Sequence, residues 1–390
     1  MIGLGISNLI PIIVSIIYSE GPFASLSYII PGFLSIVMGI VFRKFGSSDN
    51  INLKHAMIVS SSIWLWASFI GSLTMVLLVG IKSIDGFNFI SGFNFVDGFL
   101  ESMSAWTTSG HTIFTNVEIL PHSLNFLRCF EQWMGGLGIV TLLMGLMLRS
   151  GKSTLELYKS EARNEKISPS MGSTLKKIIE VYVFFTIMGI LLFIIAGMPI
   201  FDSICQTFTQ LSTGGAPITS MSMGYYHNNL FNLISIFIMI IGGTSFLTLY
   251  KIVKSKGFSF LSDIQFRGMM FLIIIFSILI YFITNMPNIP NMSIMNIVYD
   301  VVSAITGTGT SLGSSQDIAN FAPFVKISLI VLMIIGPAAG STGGAVKIIR
   351  VIIIIKGLYT QVLEVLSPKD RLIKIKISNQ EINDSLIKEA

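Results

Sequence analysis

Three short blocks of hydroxyl and glycine residues recur along this chain. Ser104-Ala105-Trp106-Thr107-Thr108-Ser109-Gly110 aligns without gaps on Thr209-Gln210-Leu211-Ser212-Thr213-Gly214-Gly215. Both align on Ser303-Ala304-Ile305-Thr306-Gly307-Thr308-Gly309. Each block ends in glycine and has a polar residue seven places ahead of its first residue: Asp97, Asp202 and Asn296. These residue types suit one chemistry. A K+ ion that sheds its water needs several oxygen ligands at once, and backbone carbonyls supply them where glycine permits unusual dihedrals. Threonine and serine hydroxyls add ligands or brace the loop. The candidate ligand set is Thr108, Ser109 and Gly110, then Thr213, Gly214 and Gly215, then Thr308 and Gly309. One Thr-Gly pair is an ordinary turn. Three aligned copies between apolar stretches read as a cation selectivity filter.

Such loops need helices to hold them at membrane depth. A spanning helix takes roughly 20 apolar residues. Eight stretches qualify: 4–19, 24–42, 56–80, 124–148, 177–198, 230–250, 268–284 and 324–355. The half-length segments 97–108, 202–213 and 296–306 are too short to span and read as pore helices, with Asp97, Asp202 and Asn296 as their N-caps. A small-residue break follows each block's last glycine by 25 to 27 residues: Met134-Gly135-Gly136, Ile241-Gly242-Gly243 and Ile335-Gly336-Pro337. Two landmarks recurring in order define a repeated helix, pore loop, helix unit. Non-helical backbone survives in a membrane only when buried in protein or lining a wet cavity. If the pore helices point their C-termini inward, their dipoles favour a cation there.

Composition agrees. The 390 residues are 52% hydrophobic and only 12% charged, against about 25% charged in soluble domains. The net charge of +5 does not indicate nucleic acid, because 22 of the 25 Lys and Arg lie in 43–54, 149–177, 251–267 and the tail from 347. The positive-inside rule makes those segments cytoplasmic. The opposite loops hold only Lys82 and carry Asp85, Asp97, Glu101, Glu118, Asp202, Asp300 and Asp317, which could form a negative outer mouth. Pro11 and the lack of a basic start argue against a signal peptide over the first stretch. Cys129 and Cys205 imply no disulfide framework. The four histidines lack metal-ligand spacing, and His111 reads as a mouth or loop residue. No nucleophile–base pair or redox motif appears, so an enzyme is not expected, nor is a bound cofactor.

The stretch from Gly336 through Gly340, Ser341, Thr342, Gly343 and Gly344 interrupts a long apolar segment. It lacks the Gly-Lys-Ser/Thr of a nucleotide loop. It reads either as an unwound gate below the filter or as close helix packing through small residues. Lys347 and Arg350 follow and are either a pore barrier or interfacial anchors. Arg128, Glu131 and Gln132 open an apolar helix and need partners around the loop.

The motifs Glu101 through Gly110, Gln132-Trp133-Met134-Gly135-Gly136-Leu137-Gly138-Ile139-Val140, Leu211 through Gly215, and Ala339 through Gly344 leading into Lys347-Ile348-Ile349-Arg350 resemble the TrkH/KtrB/HKT superfamily of potassium transporters, its TrkH branch most closely. Leu9-Ile10-Pro11 through Tyr18-Ser19-Glu20 is similar to that family's N-terminal hairpin. The resemblance implies an all-α polytopic membrane protein of four units around a pseudo-fourfold pore. It implies K+ ligands at the three blocks and a gate at 336–344. It also implies a homodimer, a cytoplasmic nucleotide-binding regulatory subunit of the TrkA/KtrA kind on the inner loops, and a prokaryotic plasma membrane. The expected division is a two-helix hairpin over 1–45, units over 54–150, 176–256 and 266–356, a cytoplasmic linker over 151–175 and a tail over 357–390. Only three of the four units are present, which suggests a fragment. Two alternatives remain: a partner-dependent or non-conducting subunit, and a secondary transporter for another small solute. The latter calls for mid-membrane charges that are scarce here.

Overall fold

The computed structural model describes residues 1–45, 53–80, 93–138, 171–254, 259–287, 291–313, 315–366, 376–377 and 380–381. The linker expected over 151–175 lies largely outside the described residues, as does the tail beyond Leu366 apart from two short paired strands, Lys376–Ile377 and Gln380–Glu381.

The N-terminal hairpin is α1 (Ile2–Ser7), α2 (Pro11–Ile17) and α3 (Pro22–Phe45). The first expected span is therefore two pieces. Pro11 brings no N–H and opens α2. Asn8 in the break is buried, and its side chain is satisfied: Asn8 Nδ2 donates to the Tyr28 carbonyl at 2.9 Å and Thr74 Oγ1 donates to Asn8 Oδ1 at 3.1 Å.

The three units follow. The first is α4 (Leu53–Gly80), α5 (Phe95–Trp106) and α6 (His122–Leu137). The second is α7 (Met171–Ile195), α8 (Ile200–Leu211) and α9 (Asn229–Gly242), which continues as α10 (Phe246–Lys254). The third is α11 (Ile264–Thr284), α12 (Ile294–Thr306), the short α13 (Ser315–Ala319), α14 (Pro323–Ile335) and α15 (Ile348–Leu366). In each unit the long first helix packs against the half-length helix that follows.

Among the described residues four helices are long and apolar enough to cross a membrane: Pro22–Phe45, Met57–Val79, Ser173–Ile195 and Ile264–Thr284. The expected span over 230–250 is bent by 109° between α9 and α10, and 324–355 is split into α14, a loop and α15. In both the helix ends at its glycine break, α9 at Gly242 and α14 just before Gly336. In the first unit α6 runs through Gly135 and Gly136 to Leu137, and the rest of the expected span over 124–148 lies outside the described residues.

All three half-length helices start two residues earlier than expected, and the first two also end two residues earlier. Their N-caps are Asn94, Pro199 and Ser293; Asp97, Asp202 and Asn296 all sit at the third helical residue. That position suits them. The Asn94 side chain accepts from the Asp97 N–H while the Asp97 carboxylate accepts from the Asn94 N–H, a reciprocal capping box. Ser293 accepts from the Asn296 N–H at 3.1 Å.

The hydrophobic core joins the inner faces of the units through Trp106, Met134, Tyr182, Met239, Tyr299 and Leu332. Outward, Phe33, Ile187 and Phe271 are more than half exposed. That surface suits hydrocarbon rather than water.

Candidate cation site

The three blocks fold alike. In each, the fifth and seventh residues take left-handed φ: Thr108 at 55° and Gly110 at 73°, Thr213 at 54° and Gly215 at 63°, Gly307 at 75° and Gly309 at 79°. In each, the fifth N–H donates to the second residue's carbonyl at 3.1, 3.1 and 3.2 Å, and the sixth donates to the first residue's carbonyl at 3.0, 2.9 and 3.0 Å. These bonds end the pore helix and launch a short strand with alternating φ. Alternation of this kind turns carbonyls toward a common side, whereas regular extended backbone points them to opposite sides. Two positions of strain fall on threonine, which rarely adopts this conformation.

The strands also pack on one another. A Cβ on Gly110 would strike the carbonyl oxygen of Gly214, and a Cβ on Gly215 would strike that of Thr308. The terminal glycine is thus required twice, by its φ and by the neighbouring strand. A Cβ on Gly309 meets nothing within 4 Å, so the third strand's flank is open among the described residues. The glycine pairs repeat the logic. Gly135 and Gly242 back onto the carbonyls of Trp106 and Leu211 at the ends of their own pore helices. Gly136 and Gly243 sit against Ser212 and Thr306 of the following unit.

Side chains brace the strands from behind. Gln132, fully buried on α6, donates from Nε2 to the Gly214 carbonyl at 3.0 Å and accepts at Oε1 from the Ala216 N–H at 3.0 Å. Arg128 and Glu101 form a buried ion pair at 3.2 Å. Glu101 also accepts from Thr112 Oγ1 and the Ile113 N–H, both at 2.6 Å, and Arg128 donates to the Pro217 carbonyl at 3.1 Å. Glu101 is 1% exposed, so it is not part of a negative mouth. Glu131 accepts from the Ser102 hydroxyl. In the third unit Tyr299 donates to Thr310 Oγ1 at 3.1 Å and shares a 2.8 Å bond with Ser235.

A cavity of about 860 Å³ lies against the blocks. From the candidate ligand set it is lined by Thr108, Ser109, Thr213 and Gly309; His111 and Gly307 line it too. Gly110, Gly214, Gly215 and Thr308 are instead engaged between strands. Thr342 and Gly344 line the cavity from the interrupting loop. The other loop residues anchor it. The Gly340 carbonyl accepts from the Phe246 N–H at 2.9 Å, Ser341 Oγ donates to the Ala338 carbonyl at 2.6 Å, and Gly343 packs on Pro337 and the Thr306 carbonyl. Gly336 opens the loop at φ 70°. Thr342 Oγ1 lies 3.2 Å from Thr213 Oγ1 and donates to the Gly242 carbonyl at 2.9 Å. On α11, Gln265 Oε1 accepts from the Ala339 N–H at 2.7 Å. Lys347 turns back, its Nζ donating to the Gly343 carbonyl, and Arg350 is exposed; neither lines the cavity.

Comparison with known proteins fits this geometry. The TrkH cation transport protein family profile matches residues 33–271 and 314–390. The chain belongs to the TrkH family of cation transport proteins. It is therefore a multi-pass membrane transporter and not an enzyme. An uncharacterised cation transporter of Methanocaldococcus jannaschii is 38% identical over 388 residues, covering 99% of this chain and 76% of that protein. The Trk system potassium uptake protein TrkH of Escherichia coli K12 is 25% identical, covering 97% of this chain and 77% of that protein. The crystal structure of the potassium transporter TrkH from Vibrio parahaemolyticus shares the fold at a TM-score of 0.82 and 22% identity, covering 99% of this TrkH-family chain and 78% of that one.

Proposed function

We propose that this TrkH-family chain takes up K+ through a carbonyl-lined filter built by the three blocks. The observation that carries the reading is the shared left-handed alternation of three strands packed edge to edge against one cavity. The pore helices end at these strands, so their negative dipole ends favour a cation. K+ sheds water at the strands, crosses the cavity and meets the loop 336–344, which acts as the gate. The relatives named potassium uptake proteins support K+ as the cargo. The chain works in a prokaryotic plasma membrane as a homodimer, with a nucleotide-binding regulatory subunit on the basic inner loops. The flank beside Gly309, open among the described residues, favours one variant of this reading, in which flux needs a fourth wall there.

The test is rescue of a K+-uptake-deficient bacterium on low K+, by this chain alone and by a fusion carrying a fourth helix–loop–helix unit after Ala390. Rescue by either, lost on Gly110→Ser or Gly215→Ser, supports the filter. Rescue that survives both substitutions with K+ over Na+ preference intact rejects it.

A further inference from the structure

We infer that Gln132 is a specificity-determining positioning residue for cation discrimination, and this rests on the filter reading above. Its amide is the one side-chain group among the described residues that bonds a carbonyl within the candidate ligand set across a unit boundary and also holds the same strand by a backbone N–H. Nε2 takes the Gly214 oxygen and Oε1 takes the Ala216 N–H, so the peptide units on either side of Gly215 cannot rotate independently. The side chain is fully buried, and a Cβ on Gly214 would press into its carboxamide at 2.5 Å. Strand and amide are therefore in direct contact, with no room for water between them.

The repeat sharpens the point. The glycine breaks place Met239 at the position of Gln132 one unit later. Met239 faces the matching part of the third strand, where its Sδ accepts from Thr310 Oγ1 at 3.4 Å. Thr310 occupies the place that Ala216 holds in the second strand. The second strand is thus held by two backbone bonds to a planar amide. At the matching place the third strand has side-chain bonds only: Thr310 Oγ1 donates to the Met239 thioether, a poor acceptor, and accepts from the Tyr299 hydroxyl at 3.1 Å, and neither bond fixes a peptide group of the strand. A filter discriminates ions of similar charge only if its oxygens resist closing on the smaller one or opening for the larger. Gln132 supplies that resistance to one strand and makes the filter unequally stiff.

The experiment uses the full 390-residue chain purified in detergent. Thermal unfolding is followed while K+ or Na+ is titrated, and the ratio of half-saturating Na+ to half-saturating K+ is read for each variant. Gln132→Met installs the residue that the second unit carries, and Gln132→Asn draws the amide back by one methylene. Each is expected to lower the ratio about tenfold, the loss of one to two net hydrogen bonds. Trp133→Phe removes a neighbouring 2.9 Å bond to Thr186 that does not touch a block, and is expected to leave the ratio unchanged. A folded Gln132→Met or Gln132→Asn with the wild-type ratio overturns the inference, and if one variant does not fold the other decides. An equal fall in Trp133→Phe also overturns it, because loosening α6 would then suffice. A wild-type chain that distinguishes K+ from Na+ neither alone nor as the fusion carrying a fourth unit removes the filter reading itself.

Discussion

Gly215→Ala and Gly309→Ala are the same substitution at the same place in the repeat, yet they should differ. Both residues have left-handed φ, 63° and 79°. Each alanine therefore carries about 1–2 kcal/mol of backbone strain. At Gly309 the added methyl meets open space. At Gly215 it meets the Thr308 carbonyl, with the carbonyl carbon at 3.0 Å and the Thr310 nitrogen at 3.3 Å. These are backbone atoms of the next strand and cannot swing aside, so overpacking adds about 1–3 kcal/mol. Thermal unfolding of the chain in detergent, in K+ and in Na+, measures both effects. Gly215→Ala should unfold earlier than Gly309→Ala and should lose most of any K+-specific protection. Equal losses would refute the reasoning, because Gly309 would then have a neighbouring wall like that of Gly215.

Arg128→Met leaves the Glu101 carboxylate buried without its cation and should cost about 3–5 kcal/mol. Adding Glu101→Gln should recover part of that, as a double-mutant cycle in thermal unfolding would report. Gln265→Leu removes the acceptor of the Ala339 N–H, so amide exchange in 336–346 should quicken about tenfold while the blocks keep their protection. Thr342→Val keeps the shape but deletes the hydroxyl that reaches Gly242 and Thr213. Under the gate reading it should raise basal Rb+ flux in a conducting form, and unchanged flux would count against the gate.

The blocks, the half-length helices and the interrupting loop were legible because each leaves a mark within a short window: hydroxyls, a terminal glycine, an apolar run that is too short. What joins the units was not. Gln132 and Gly214 are 82 residues apart, and nothing local says that one grips the other. Glu101 looked like a mouth acid because its loop is acidic, and only the fold brings Arg128 onto it. All three caps were misplaced by three residues, two of them for a simpler reason. Pro199 holds the N-cap place without a capping side chain, and Asn94 lies among residues with no helical period. The glycine breaks were visible as small residues, but their purpose needs the neighbouring pore helix ends. The bend after Gly242 had no proline to announce it.

That bend has a consequence for motion. In one continuous helix the Phe246 N–H would bond the Gly242 carbonyl. Here the Phe246 N–H goes to Gly340, and the Gly242 carbonyl accepts from Thr342 through both its N–H at 3.3 Å and its Oγ1 at 2.9 Å. The loop has inserted itself into an opened helical bond. If the loop withdrew, a donor and an acceptor would be left bare at about 1–3 kcal/mol each, and they would stand in register to close on each other. Under the gate reading, withdrawal of the loop and straightening of α9 into α10 would be two halves of one exchange, with the 109° corner as its latched position.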